Sequence, residues 1–116
     1  MELDNLWKIE TYTMTDQGTR EYQQDAAKAV TDGRSAMAVL CDGMGGLANG
    51  EVASAALIHA FDRWVKEELP ALCRQEIQDN VIREQWEKII ENMNQSIKTY
   101  GGRQGVKMGT TVAAIL

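Results

Sequence analysis

The chain is poor in the residues that punctuate, staple or catalyse. Its 116 residues hold one proline, one histidine and two cysteines. A lone Pro70 can end or restart only one helix. The lone His59 falls on the polar side of a helical pattern, opposite Ala56 and Ala60, and reads as a solvated side chain. No Ser-His-Asp triad and no Cys-His dyad can be assembled around it. Cys41 and Cys73 make no metal-type spacing, so we expect two reduced structural thiols. No Lys/Arg cluster occurs, and the net charge of -5 with a pI of about 4.8 argues against a nucleic-acid binder. No apolar run is long enough to span a bilayer. The opening Met1-Glu2-Leu3-Asp4-Asn5 is acidic and polar, unlike a signal peptide. A cytoplasmic protein with no nucleic-acid or membrane partner is the expectation.

What is present is ordinary for a soluble globular chain. Hydrophobic residues make up 44% and charged residues 25%, which suits a single small domain over residues 1–116. One feature is odd. The last residues, Gly109 to Leu116, read as a buried strand with no polar tail. We expect the chain to stop short of a natural domain boundary.

The most informative run is Ala38 to Glu51. An apolar strand carries one carboxylate, Asp42, to its end, and four glycines follow within eight residues, at 43, 45, 46 and 50. A lone Asp there is not needed for core packing, although an Asp can cap its own turn. A metal or phosphate site does need it. The carboxylate supplies hard oxygen, and glycine lets backbone groups approach a ligand closely.

Along the chain, residues 7–14 alternate and are rich in aromatic and β-branched types, which predicts a strand. Asp16-Gln17-Gly18-Thr19 is a turn. Asp25 to Thr31 predicts a second strand, Asp32-Gly33-Arg34-Ser35 a hairpin turn, and Ala36 to Cys41 a third strand buried on both faces. A helix follows over about 50–68, N-capped by Asn49, with an apolar stripe of Ala53, Ala56, Leu57, Ala60, Phe61, Trp64 and Val65. A second helix over about 79–100 carries Ile82, Trp86, Ile89, Ile90, Met93 and Ile97, and Gly101-Gly102 should stop it. A final strand closes the chain. Trp7, Trp64 and Trp86 are core candidates. The order predicts an α+β fold, with both helices laid across one face of a sheet.

Three residues are candidates for chemistry. Asp42 would be a hard-metal ligand, with the Gly43 carbonyl beside it, for magnesium or manganese. Asp25 is its best partner, because the hairpin at Asp32-Gly33 places the two near one end of the strand pair. Arg20, five residues before Asp25, could grip two oxygens of a phosphoryl group with its planar fork.

These residues resemble the protein phosphatase 2C family in its bacterial form. Gly18-Thr19-Arg20-Glu21-Tyr22-Gln23-Gln24-Asp25-Ala26 is similar to the family's Gly-x-Arg…Asn-Gln/Glu-Asp-Ala motif. Asp42-Gly43-Met44-Gly45-Gly46 with Gly50-Glu51-Val52-Ala53-Ser54 is close to its Asp-Gly-Met-Gly-Gly…Gly-Glu-x-Ala-Ser motif. Met108-Gly109-Thr110-Thr111 is similar to its Met-Gly-Thr-Thr motif. The resemblance implies part of an α-β-β-α sandwich and a metal-dependent Ser/Thr phosphoprotein phosphatase. It implies that Asp42 bridges two magnesium or manganese ions, that Gly43 adds its carbonyl, that Asp25 acts at or just behind the metals, and that Arg20 binds the substrate phosphate. The chemistry implied is in-line hydrolysis by a metal-activated water. There are departures. Gln23 stands where the family has Asn, and Met44 leaves no evident leaving-group acid. The family's later Gly-Asp-Ser segment and further metal-binding Asp residues are not in the sequence. A chain of this extent should therefore bind metal weakly and hydrolyse little, and dimerisation or strand exchange would relieve its open sheet edges. The alternative expectation is a non-catalytic phosphatase-like module that binds a partner along an exposed strand edge.

Overall fold

A computed structural model describes residues 8–46 and 49–116. Its elements run β1 (Asp25–Thr31), β2 (Ala36–Gly45), α1 (Asn49–Glu67), α2 (Leu69–Cys73), α3 (Asp79–Gln104), β3 (Met108–Thr110) and β4 (Ala113–Ile115). The fold is α+β, with one antiparallel sheet of four strands and three helices.

The hairpin forms where Asp32-Gly33 predicts it. Asp32 Oδ1 accepts from the amides of Arg34 (2.9 Å) and Ser35 (2.8 Å), while Thr31 Oγ1 donates to Ser35 O at 2.6 Å. Gly33 supplies the left-handed residue such a turn needs, with φ 98°. Closure pairs Thr31 with Ala36 and fixes every pair behind it, out to Asp25 opposite Asp42.

Strand β2 is the centre of the sheet. One edge takes β1, and the other takes β3 and β4. Gly43 lies opposite Thr110 and Leu40 opposite Ala113, so β3 and β4 share one register and are interrupted only at Thr111-Val112. The apolar run from Ala36 to Cys41 predicts a strand buried on both faces. Instead, burial alternates: Met37, Val39, Cys41 and Gly43 are buried, while Ala38, Leu40, Asp42 and Met44 are exposed. Small and aliphatic residues on the outer face hid the period of two. The strand also runs past Asp42 to Gly45 rather than ending at the carboxylate.

The helices cover only the inner face. The α1 stripe of Ala53, Leu57, Phe61, Trp64 and Val65 is buried, joined by Leu69 of α2. Pro70 sits in the first turn of α2, where its missing N–H costs nothing. Trp86 meets Phe61 and Trp64 edge-on, each with ring centroids 5.7 Å apart, and Trp64 Nε1 donates to Gln85 Oε1 at 2.7 Å. These contacts fasten α3 to α1. Of the stripe expected on α3, only Ile97 is fully buried, and Ile90 is exposed.

Two expectations fail. Helix α3 runs through Gly101-Gly102 and ends at Gly105, which adopts φ 67° and lets Val106 N–H reach Gly101 O at 2.9 Å. Of the strand expected over 7–14, Trp7 lies outside the described residues and 8–14 form no ladder. Thr11 Oγ1 donates to Ala29 O at 3.2 Å, so a side chain takes a position along β1 that a strand's amide would occupy, and Tyr12 and Met14 stand in solvent. No described helix is long and apolar enough to cross a membrane.

Candidate metal centre

The hairpin register brings two carboxylates face to face. Gly43 N–H donates to Gln24 O at 3.0 Å, which makes Gly43 and Gln24 a hydrogen-bonded position. The adjacent pair, Asp25 and Asp42, therefore occupies the non-hydrogen-bonded position, where side chains on one face approach most closely. Like charges directly opposite destabilise a sheet. The molecule shows the strain electrostatically. Hydrogen bonding to Asp25, repulsion by Asp25 and partial desolvation raise the Asp42 carboxyl above its ordinary range, and only Arg20 pulls it back. A bound cation would relieve the repulsion.

Arg20 lies beside Asp25. Its Nη1 lies 3.5 Å from Asp25 Oδ2, with the guanidinium largely in solvent. It arrives through a turn in which Gly18 N–H donates to Asp16 Oδ1 at 2.8 Å and Gln17 Nε2 donates to Arg20 O at 2.7 Å. Arg20 thus occupies one Asp25 oxygen. The other, Oδ1, is buried and meets no hydrogen-bond partner among the described residues. An orphaned carboxylate oxygen beside a second carboxylate fits a hard divalent cation. Magnesium in particular is commonly held by one or two carboxylates, with water and substrate phosphate completing the shell. Among the described residues no group of three or more His, Cys, Asp or Glu is placed to hold a metal ion, so a cation here would rest on the Asp25–Asp42 pair with water completing its shell.

Gly43 has a role the sequence reading gave to a ligand. A Cβ there would lie 2.1 Å from Gly50 O and 2.5 Å from Gln24 O, and a Cβ on Gly50 would lie 2.7 Å from Gly43 C. The two glycines press β2 against the first turn of α1, backbone to backbone. Close approach is what glycine supplies, and here the partner is the helix.

Three residues escaped the sequence reading. Gln24 O accepts from both Gly43 N–H and Ser54 Oγ (2.8 Å), and Gln24 Nε2 donates to Gly45 O at 2.7 Å. The hydroxyl of the fully buried Ser54 is shared with Glu51 O of its own helix at 3.2 Å, and its bond to Gln24 O ties α1 to the residue before Asp25. Thr111 binds the main chain of Asp42 from the other edge. Only their neighbours in sequence marked them, since Gln24 precedes Asp25 and Thr111 ends the Met-Gly-Thr-Thr run.

Other reactive groups lie apart. His59 is exposed on α1, as expected. Burial pushes the Cys41 thiol up, more than its hydrogen bond with Thr110 lowers it, and both cysteines are free. Comparison with family models, with curated proteins and with solved structures finds no match to this chain.

Proposed function

We propose that the Asp25–Asp42 pair is a divalent-metal site of a phosphoprotein phosphatase of the 2C type, acting on phosphoserine or phosphothreonine. One observation carries the reading. Two carboxylates stand directly opposite on the sheet, one of them with an orphaned oxygen, Asp25 Oδ1, and with a guanidinium at its side. A structural role would favour replacing one of the two, because their opposition costs stability. Bound magnesium or manganese would neutralise the pair and supply a Lewis acid and a water of lowered pKa. Asp42 and Asp25 would hold the ion through their carboxylates, and Gly43 would offer its carbonyl. Arg20, exposed and 3.5 Å from Asp25, would turn its fork to two phosphoryl oxygens and orient the phosphate towards the carboxylates.

The alternative is a non-catalytic binding module. It is favoured by the bare outer face, where Leu40 and Ile115 are 55% and 70% exposed. One experiment separates the two readings: inorganic phosphate release from a phosphothreonine peptide at saturating manganese, wild type against Asp42→Asn. Slow manganese-dependent turnover that the Asn variant lacks supports the phosphatase. Equal turnover in the variant removes Asp42 from the site. No turnover in the wild type, with phosphopeptide still bound, favours the module.

A further inference from the structure

We propose that Thr111 is the positioning residue for Asp42, holding its peptide so that the carboxylate keeps its place opposite Asp25; this rests on the metal-centre reading above. The shared register of β3 and β4 sets Thr111 opposite Asp42 on the edge away from β1. In a regular antiparallel ladder, a hydrogen-bonded pair exchanges two main-chain bonds. Here one of the two is replaced. Thr111 N–H donates to Asp42 O at 2.9 Å, as a ladder requires. The Asp42 N–H, however, donates to the Thr111 hydroxyl, Oγ1, at 3.1 Å. The Thr111 carbonyl that would have accepted it takes the Thr110 hydroxyl instead, at 2.8 Å.

The exchange interrupts the ladder at one place in the shared register, opposite the carboxylate pair. Both polar groups of the Asp42 main chain end on a single residue, one through its backbone and one through its side chain. Threonine suits this because a β-branched side chain is stiff at χ1, so its hydroxyl is held where the amide needs it. Gln24 performs the matching task from the β1 side, through Gly43 N–H. The Asp42 peptide is thereby bracketed from both edges, while its side chain faces Asp25. Groups that orient metal ligands this way commonly change metal affinity by about 10–100-fold when removed.

The test is manganese binding to the 116-residue chain, read as loss of the free-ion electron paramagnetic resonance signal. Thr111→Val keeps the shape and removes the acceptor, and Thr111→Ser keeps the acceptor. The expected result is affinity weakened about tenfold or more in the Val variant and largely restored in the Ser variant, at similar melting temperatures. Wild-type affinity in the Val variant overturns the proposal, as does a Ser variant as weak as Val. A wild type that binds no manganese overturns the metal-centre reading instead. The hydrogen exchange of the Asp42 amide then decides: protection lost in Val and kept in Ser supports the brace, and unchanged protection in Val refutes it.

Discussion

Gly43→Ala should be the most damaging single methyl group that can be added to this chain. The new Cβ would sit 2.1 Å from Gly50 O and 2.5 Å from Gln24 O, both backbone atoms that cannot rotate away. Ordinary contact begins near 3.4 Å, so the start of α1 must retreat from β2 by more than an ångström. That retreat pulls apart the bond from Ser54 Oγ to Gln24 O (2.8 Å) and strains the one from Gln24 Nε2 to Gly45 O (2.7 Å). Two weakened hydrogen bonds at about 1 kcal/mol each, added to about 1–3 kcal/mol of overpacking, give a loss of roughly 3–5 kcal/mol. Against a total stability of about 5–15 kcal/mol, that is a large fraction. For a domain of this size it lowers the melting temperature by roughly 10–20 °C. The assay is thermal unfolding by circular dichroism, with Gly109→Ala as the control, since a Cβ there meets nothing within 4 Å. A Gly43→Ala melting temperature within a few degrees of the control would refute the claim that these glycines serve strand–helix contact.

Two further changes probe the scaffold. Asp62, buried on α1, pairs with Lys66 at 2.9 Å and with Lys28 of β1 at 3.3 Å. Burial is the largest influence and raises its carboxyl, yet the two lysines together outweigh it and leave it below the ordinary range. A depressed carboxylate stabilises above its unfolded value, here 3.8, and the benefit fades as pH falls through the folded value. Asp62→Asn should therefore cost about 1–2 kcal/mol at pH 7, with both lysines partly in solvent, and the gap from wild type should close in acid urea titrations. Gly102, inside α3 with open space around it, should stabilise the chain by about 0.5–1 kcal/mol when changed to alanine, whereas Gly101→Ala should not, because its Cβ would lie 2.8 Å from Val106 O. Denaturant midpoints of the two variants check the contrast.

Much of the site could be read from local chemistry. The Asp-Gly turn predicts the hairpin, and counting back from it nearly pairs Asp25 with Asp42; the four-residue loop between Thr31 and Ala36 makes them direct partners. The α1 stripe was legible because its period is strong and one face is buried. What failed depended on partners distant in sequence. Aliphatic Leu40 and small Ala38 read as core, yet nothing among the described residues covers them. Residues 8–14 have strand-like composition, but Thr11 meets β1 through its hydroxyl. Gly101-Gly102 looked like a helix stop, although the Gly101 position is closely packed and Gly105 takes the left-handed turn. Gln24, Ser54 and Thr111 act through main-chain atoms of other elements, and no spacing in the sequence announces such bonds.

The most direct measurement is the melting temperature of wild type and Asp42→Asn at pH 7, each with and without manganese. Asp42 is raised above its ordinary range, so its charged form is disfavoured in the fold, and its contribution is lost as pH rises through the raised value. Without metal, the Asn variant should therefore melt higher than wild type. With manganese, wild type should gain stability by mass action and the variant should gain little. That crossing is the signature of a carboxylate pair kept for a cation. An Asn variant that melts no higher without metal, or that gains as much from manganese as wild type does, would contradict the account.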